Sequence, residues 1–199
     1  HVPVTLHAAK LIFHKSKFLS MSAMQKIKSL LQPNALMVKL FDGAEHEFSA
    51  AKFHELCDSQ GPTITICLSQ HDHIFGMYTN LSWKSENSNN RDPDGAFVFR
   101  LENLQKIVRI YMKRDASEVL HRNDYLSCFY NYNIKDRAHE NTQSYADTSV
   151  GCYEHPVDLE INHETYWTGS TNFSLKEMEV YQVSKPVNVP NEDDPLLRI

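Results

Sequence analysis

The sequence predicts an α+β fold whose sheets are largely antiparallel. Three observations predict it. Segments rich in β-branched and aromatic residues outnumber those with helical periodicity, and the connections between them are mostly too short for βαβ crossovers. The 2 Trp, 9 Tyr and 10 Phe among 199 residues supply the bulk of a core. With 41% hydrophobic and 23% charged residues, the composition is that of a single folded domain and argues against disorder.

Residues 1–17 carry basic residues and hydrophobics without a period and read as an N-terminal arm or a first strand. The domain itself is expected over 18–183. Residues 184–199, with three prolines and the acidic run Glu192-Asp193-Asp194, read as a C-terminal tail or linker. A first helix begins after Ser20, which can cap it. Leu19 and Met24 sit at staple positions, Met24, Ile27, Leu30 and Leu31 form an apolar stripe, and Pro33-Asn34 ends the helix. Residues 35–41 read as a strand and Asp42-Gly43 as a turn.

A second helix begins at Ser49, with Phe48 and Phe53 as a staple, and stops near 58–61. The clearest hairpin pairs 63–68 with 74–79 across the polar turn 70–73. Residues 85–95 read as an exposed loop, 96–101, 107–112 and 125–130 as strands, and 131–148 as a long surface loop. The last strands are expected at 157–161 and 175–183. Around the 63–79 hairpin, Gly61-Pro62 breaks a helix before a strand, and Gly76 in mid-strand signals a close backbone approach or a bulge.

A net charge of −5, from 20 Lys+Arg against 25 Asp+Glu, offers no basic field for phosphate backbones, so nucleic acid is not an expected partner. No apolar run reaches the length of a bilayer span, and no membrane insertion is expected. Cys57, Cys67, Cys128 and Cys152 are widely spaced and form no C-x-x-C pair; they read as reduced thiols in a cytoplasmic setting. The chain opens on His1 and not on Met, which gives it the look of a piece trimmed from a longer parent.

Signals of catalysis are sparse. Neither phosphate-cradling glycine loop, the nucleophile elbow nor H-E-x-x-H is present. The run Asn90 to Gly95 imitates the opening of a calcium loop, but Leu101 stands where the bidentate Glu belongs, so it reads as a turn. His71 and His73 form an H-x-H pair without a third ligand nearby in sequence and read as turn residues; no metal and no cofactor are expected. His54 and Cys57, three apart on the second helix, have the spacing of an imidazole-activated thiol, yet the thiol sits toward the helix C-terminus, where the dipole disfavours thiolate. Glu177 and Glu179 share one face of the last strand with Tyr181 and Val183. Like charges two apart need outside compensation, from a local Lys or Arg or from a basic partner surface.

The segments 48–65, Ile74-Phe75-Gly76-Met77-Tyr78-Thr79, Ser82-Trp83, Ala96-Phe97-Val98-Phe99-Arg100-Leu101 and 169–183 occur in an order that resembles the TLDc domain family, the family of oxidation-resistance proteins. The resemblance spans about 18–183. It departs where family members usually carry a glycine-rich stretch; here only Gly151 stands, which marks a divergent member. The resemblance implies two antiparallel β-sheets packed as a sandwich and flanked by short helices. It also implies a family without an established catalytic residue set, linked to resistance to oxidative stress and to the vacuolar proton-pumping ATPase. The expected function is therefore a non-catalytic protein-binding module docking on a larger cytosolic assembly such as that ATPase, with Glu177 and Glu179 as candidate binding residues. The competing expectations are a structural subunit of a cytoskeletal or ciliary assembly, and a cysteine-based redox enzyme.

Overall fold

A computed structural model describes residues 16–93, 95–149, 151–155 and 160–184. The two helices are short. α1 (Met21–Lys28) begins where Ser20 Oγ accepts the Ala23 N–H at 3.2 Å. α2 (Ala50–Cys57) is capped in the same way by Ser49 Oγ, which accepts the Lys52 N–H at 3.3 Å. The Asp136 carboxylate takes the Ala50 N–H at 2.6 Å, which satisfies another of the free donors at that end. Phe48 and Phe53 are both buried, as the staple reading expects.

The strands are β1 (Leu36–Asp42), β2 (Thr63–Ser69), β3 (Ile74–Thr79), β4 (Ser88–Arg91), β5 (Phe97–Glu102), β6 (Lys106–Met112) and β7 (Glu118–His121). They continue with β8 (Tyr125–Phe129), β9 (Tyr132–Lys135), β10 (Ser144–Ala146), β11 (Tyr153–Glu154), β12 (Asn172–Phe173) and β13 (Leu175–Ser184). Among the described residues they form a sheet in the order β1-β13-β2-β3-β5-β6-β11 and another in the order β12-β10-β9-β8-β7-β4, with all neighbours antiparallel. The chain is thus mostly β, with two antiparallel sheets and two short helices.

One apolar cluster joins the sheets: Phe75, Met77, Val98 and Val180 from the first meet Val119, Leu126, Phe129 and Tyr132 from the second. The rings of Phe75 and Tyr132 lie 6.0 Å apart edge to face, and Thr65 Oγ1 and Ser127 Oγ hydrogen-bond at 2.7 Å between the sheets. A second cluster occupies the other face of the first sheet, where Ala23 and Ile27 of α1 cover Ile64, Ile66, Phe99, Tyr181 and Val183. Gly76 behaves as its position predicts: a Cβ there would overlap the carbonyl oxygen of Thr65 on the paired strand.

The structure corrects two loop readings. Residues 131–148 contain β9 and β10, and 85–95 contain β4, while β7 was not anticipated at all. These strands are short and polar outside. β9 buries Tyr132 and Ile134 over only four residues, and β10 buries Ser144 and Ala146, so in β10 small or hydroxylated residues stand where an apolar alternation is the usual signal. Of the strand expected at 157–161, residues 157–159 lie outside the described residues, and Glu160 and Ile161 are not in a strand. Residues 1–15 of the arm expected over 1–17 and residues 185–199 of the tail expected over 184–199 also lie outside them.

Trp83 is 1% exposed, and its indole N–H donates to Thr63 Oγ1 at 2.8 Å. Trp83→Ala is expected to lower unfolding stability by about 3–5 kcal/mol in urea titration, the usual cost of deleting a large buried aromatic.

Candidate functional site

Parity along β13 places Glu177, Glu179, Tyr181 and Val183 on one face, but that face is not solvated. Tyr181 and Val183 pack beneath α1, and Glu179 is 1% exposed. Of the two compensations the sequence left open for Glu179, the structure supplies the local one: Lys39 pairs with it, and the segment leading into α1 crosses over it.

The Glu179 carboxylate is fully engaged. Oε1 accepts from Lys39 Nζ at 2.5 Å and from the Lys17 backbone N–H at 2.9 Å, and Oε2 accepts from the Tyr181 hydroxyl at 2.8 Å. Lys39 also reaches Asp42 at 3.3 Å, and Lys17 Nζ lies 2.9 Å from Asp42 and 3.7 Å from Glu45. Burial pushes the Asp42 carboxyl up, but the Lys17 hydrogen bond, the Glu45 N–H and the nearby lysine charges outweigh it and hold it below the ordinary range. A buried charge is tolerated only when paired and hydrogen-bonded in this way.

Glu177 differs. It is half-buried beside a β-bulge between Leu175 and Glu177, and among the described residues it forms no hydrogen bond or ion pair of its own. Burial, then the charges of Asp42 and Glu179, raise its pKa against the opposing pull of Lys17 and Lys39. The cluster is therefore over-supplied with carboxylates, and Glu177 is the one left open.

His71 and His73 stand at a different place, a polar cleft of about 910 Å³. The turn between β2 and β3 brings them to one wall, β5 contributes Arg100 and Glu102, Lys106 opens β6, and residues 160–169 close the far side. Gly169, at φ +92°, is required there, because a Cβ would overlap the His71 ring. Among the described residues no three His, Cys, Asp or Glu side chains converge as metal ligands. Arg100 was overlooked in the sequence, although a lone guanidinium inside the apolar run 97–101 was a usable signal.

The His54 ring nitrogens are engaged away from Cys57. His54 Nδ1 bonds Asp58 at 2.8 Å and Nε2 approaches the Arg122 and Tyr125 carbonyls at 2.8 and 3.1 Å. The buried Cys57 thiol is pushed well up by desolvation and by Asp58, and burial takes Cys128 up to about 12.

With this geometry in place, the comparison with protein families is decisive. The TLDc domain model matches residues 12–184, and the chain belongs to the TLDc domain family. A comparison with curated proteins returned no match. The matched span ends at Ser184, the last residue of β13. No helix among the described residues is long and apolar enough to cross a membrane.

A carboxyl whose folded pKa is raised favours the native state below its unfolded pKa and loses that contribution as pH rises through the folded value. Glu177→Gln is therefore expected to raise Tm at pH 7 and to leave it nearly unchanged at pH 4, below the ordinary value of 4.5. Equal Tm shifts at both pH values would show that its neighbours do not strain Glu177.

Proposed function

We propose that the chain is a non-catalytic protein-binding module that docks on a larger cytosolic assembly through the acidic margin around Glu177. Membership of the TLDc family supports a binding role, and with it the vacuolar proton-pumping ATPase as the assembly to test first and a link to oxidative-stress resistance. The two sheets, packed as a sandwich, serve as a rigid platform on which the margin is displayed.

The observation that carries the reading is the charge imbalance. Asp42, Glu45, Glu177 and Glu179 share Lys17 and Lys39 among the described residues, and burial and the neighbouring carboxylates disfavour the charge on Glu177. A basic partner surface would relieve that strain on binding, and complementary charge adds steering and specificity.

Binding of the purified chain to the cytosolic sector of the ATPase, measured at low and at high salt, tests this. Glu177→Gln is expected to weaken binding by about five-fold at low ionic strength, equivalent to roughly 1 kcal/mol, with the difference shrinking at high salt. Unchanged affinity at low salt would remove Glu177 from the interface. Binding to a cytoskeletal or ciliary assembly in place of the ATPase would favour a structural role for the fold.

A further inference from the structure

The cleft at the β2–β3 turn is built around a cation that the fold leaves only partly used. Arg100 lies in β5, a strand otherwise apolar on its buried side, and its guanidinium packs 4.5 Å from the centre of the Tyr166 ring. One terminal nitrogen donates to the Tyr166 carbonyl, and the other lies 3.4 Å from His73 Nε2. Among the described residues Arg100 Nε is buried without a hydrogen-bond partner. An unmatched nitrogen of this kind is costly in a folded protein, and it marks a guanidinium whose donors the fold does not fully use.

The nearest carboxylate does not do so. Glu102 is committed to the Tyr166 hydroxyl at 2.6 Å and to Lys106 at 3.3 Å, and no carboxylate bonds Arg100 directly among the described residues. Tyr166 thus holds both charged partners in place, the guanidinium under its ring and Glu102 at its hydroxyl. The vestibule in front is open and polar, and Lys106, with a 68% exposed side chain, stands at its rim.

We propose that this cleft binds a carboxylate, held by the Arg100 guanidinium and His73, with Lys106 guiding it in. A guanidinium fork matches the planar geometry of a carboxylate. Glu102 and Glu160 on the same walls oppose a dianionic phosphate, which favours the singly charged group. The shared chemistry is the carboxylate itself, whether on a small organic acid or on an acidic side chain of a protein.

Binding also takes up a proton. Burial first, then Arg100, hold the His73 imidazole below its ordinary pKa, with His71 adding to this while backbone groups of Trp167 and Tyr166 pull the other way. The charged groups sharing the cleft are His71, Arg100, Glu102, Lys106 and Glu160. An anion entering beside His73 favours the imidazolium, so affinity rises as pH falls.

The test is an NMR titration of the described chain with three probes: propionate, a blocked tetrapeptide with one internal glutamate, and inorganic phosphate. The expected result is saturable millimolar binding of propionate and the peptide, with shifts centred on His73, Arg100 and Tyr166 and affinity about ten-fold higher at pH 6 than at pH 8. Propionate as tight as the peptide identifies a free acid, and a peptide at least ten-fold tighter identifies a protein side chain. Arg100→Lys should abolish binding, Lys106→Ala should weaken it several-fold, and His73→Gln should remove the pH dependence. Lys106 is exposed, so its variant reports on binding even where Arg100→Lys perturbs the fold. Absence of saturable binding by both carboxylates, tighter binding of phosphate, or an unchanged pH profile in His73→Gln overturns the proposal.

Discussion

The last described strand, β13, lies between β1 and β2, and a buried carboxylate fixes it there. β13 pairs with β1 on one side and β2 on the other, so the first sheet is incomplete until the end of the matched span has been added. Glu179 makes this arrangement selective. Its partners come from β1, from the segment before α1 and from β13 itself, and they meet in one register only. A slip of one residue would turn Glu179 toward the apolar cluster that holds Met178 and Val180, where nothing is placed to receive a charge. A charge of this kind adds little net stability but excludes the wrong pairing.

Glu177, two residues earlier, shows the opposite balance. It lies beside a bulge, half-buried, and among the described residues no lysine pairs with it. The same face of one strand therefore carries a carboxylate that the fold consumes and one that it does not. The cleft at Arg100 repeats the pattern with the sign reversed, a cation positioned by Tyr166 with donors to spare.

Much of the framework was legible in the sequence because local chemistry and tertiary packing agree there. Ser20 and Ser49 cap their helices, Phe48 and Phe53 are both buried, and residues 63–68 and 74–79 pair as the expected hairpin. Gly76 announced a close backbone approach that the structure bears out. The second sheet was mostly illegible, because its strands are short and β10 buries Ser144 and Ala146 where an apolar signal is expected, with Lys135 N–H bonding Ser144 Oγ at 3.1 Å in place of a hydrophobic contact. Parity along β13 was readable but exposure was not. Nothing in the order of residues announces that the segment at Ser16 and Lys17 folds over Glu179, 162 positions away. The cleft was hidden for the same reason, since His73, Arg100 and Tyr166 come from segments that only the sheet brings together.

The division between the two glutamates is most directly measured by a double-mutant cycle in urea unfolding, pairing Lys39→Met with Glu179→Gln and, separately, with Glu177→Gln. Lys39 is 13% exposed and Glu179 1%, so the first pair should couple by about 1–3 kcal/mol: Lys39→Met alone strands a buried charge and costs about 3–5 kcal/mol, and adding Glu179→Gln recovers part of it. The second pair should add to within about 0.5 kcal/mol of the single effects. Additivity at Glu179, or strong coupling at Glu177, would contradict the assignment of one carboxylate to the fold and the other to the surface.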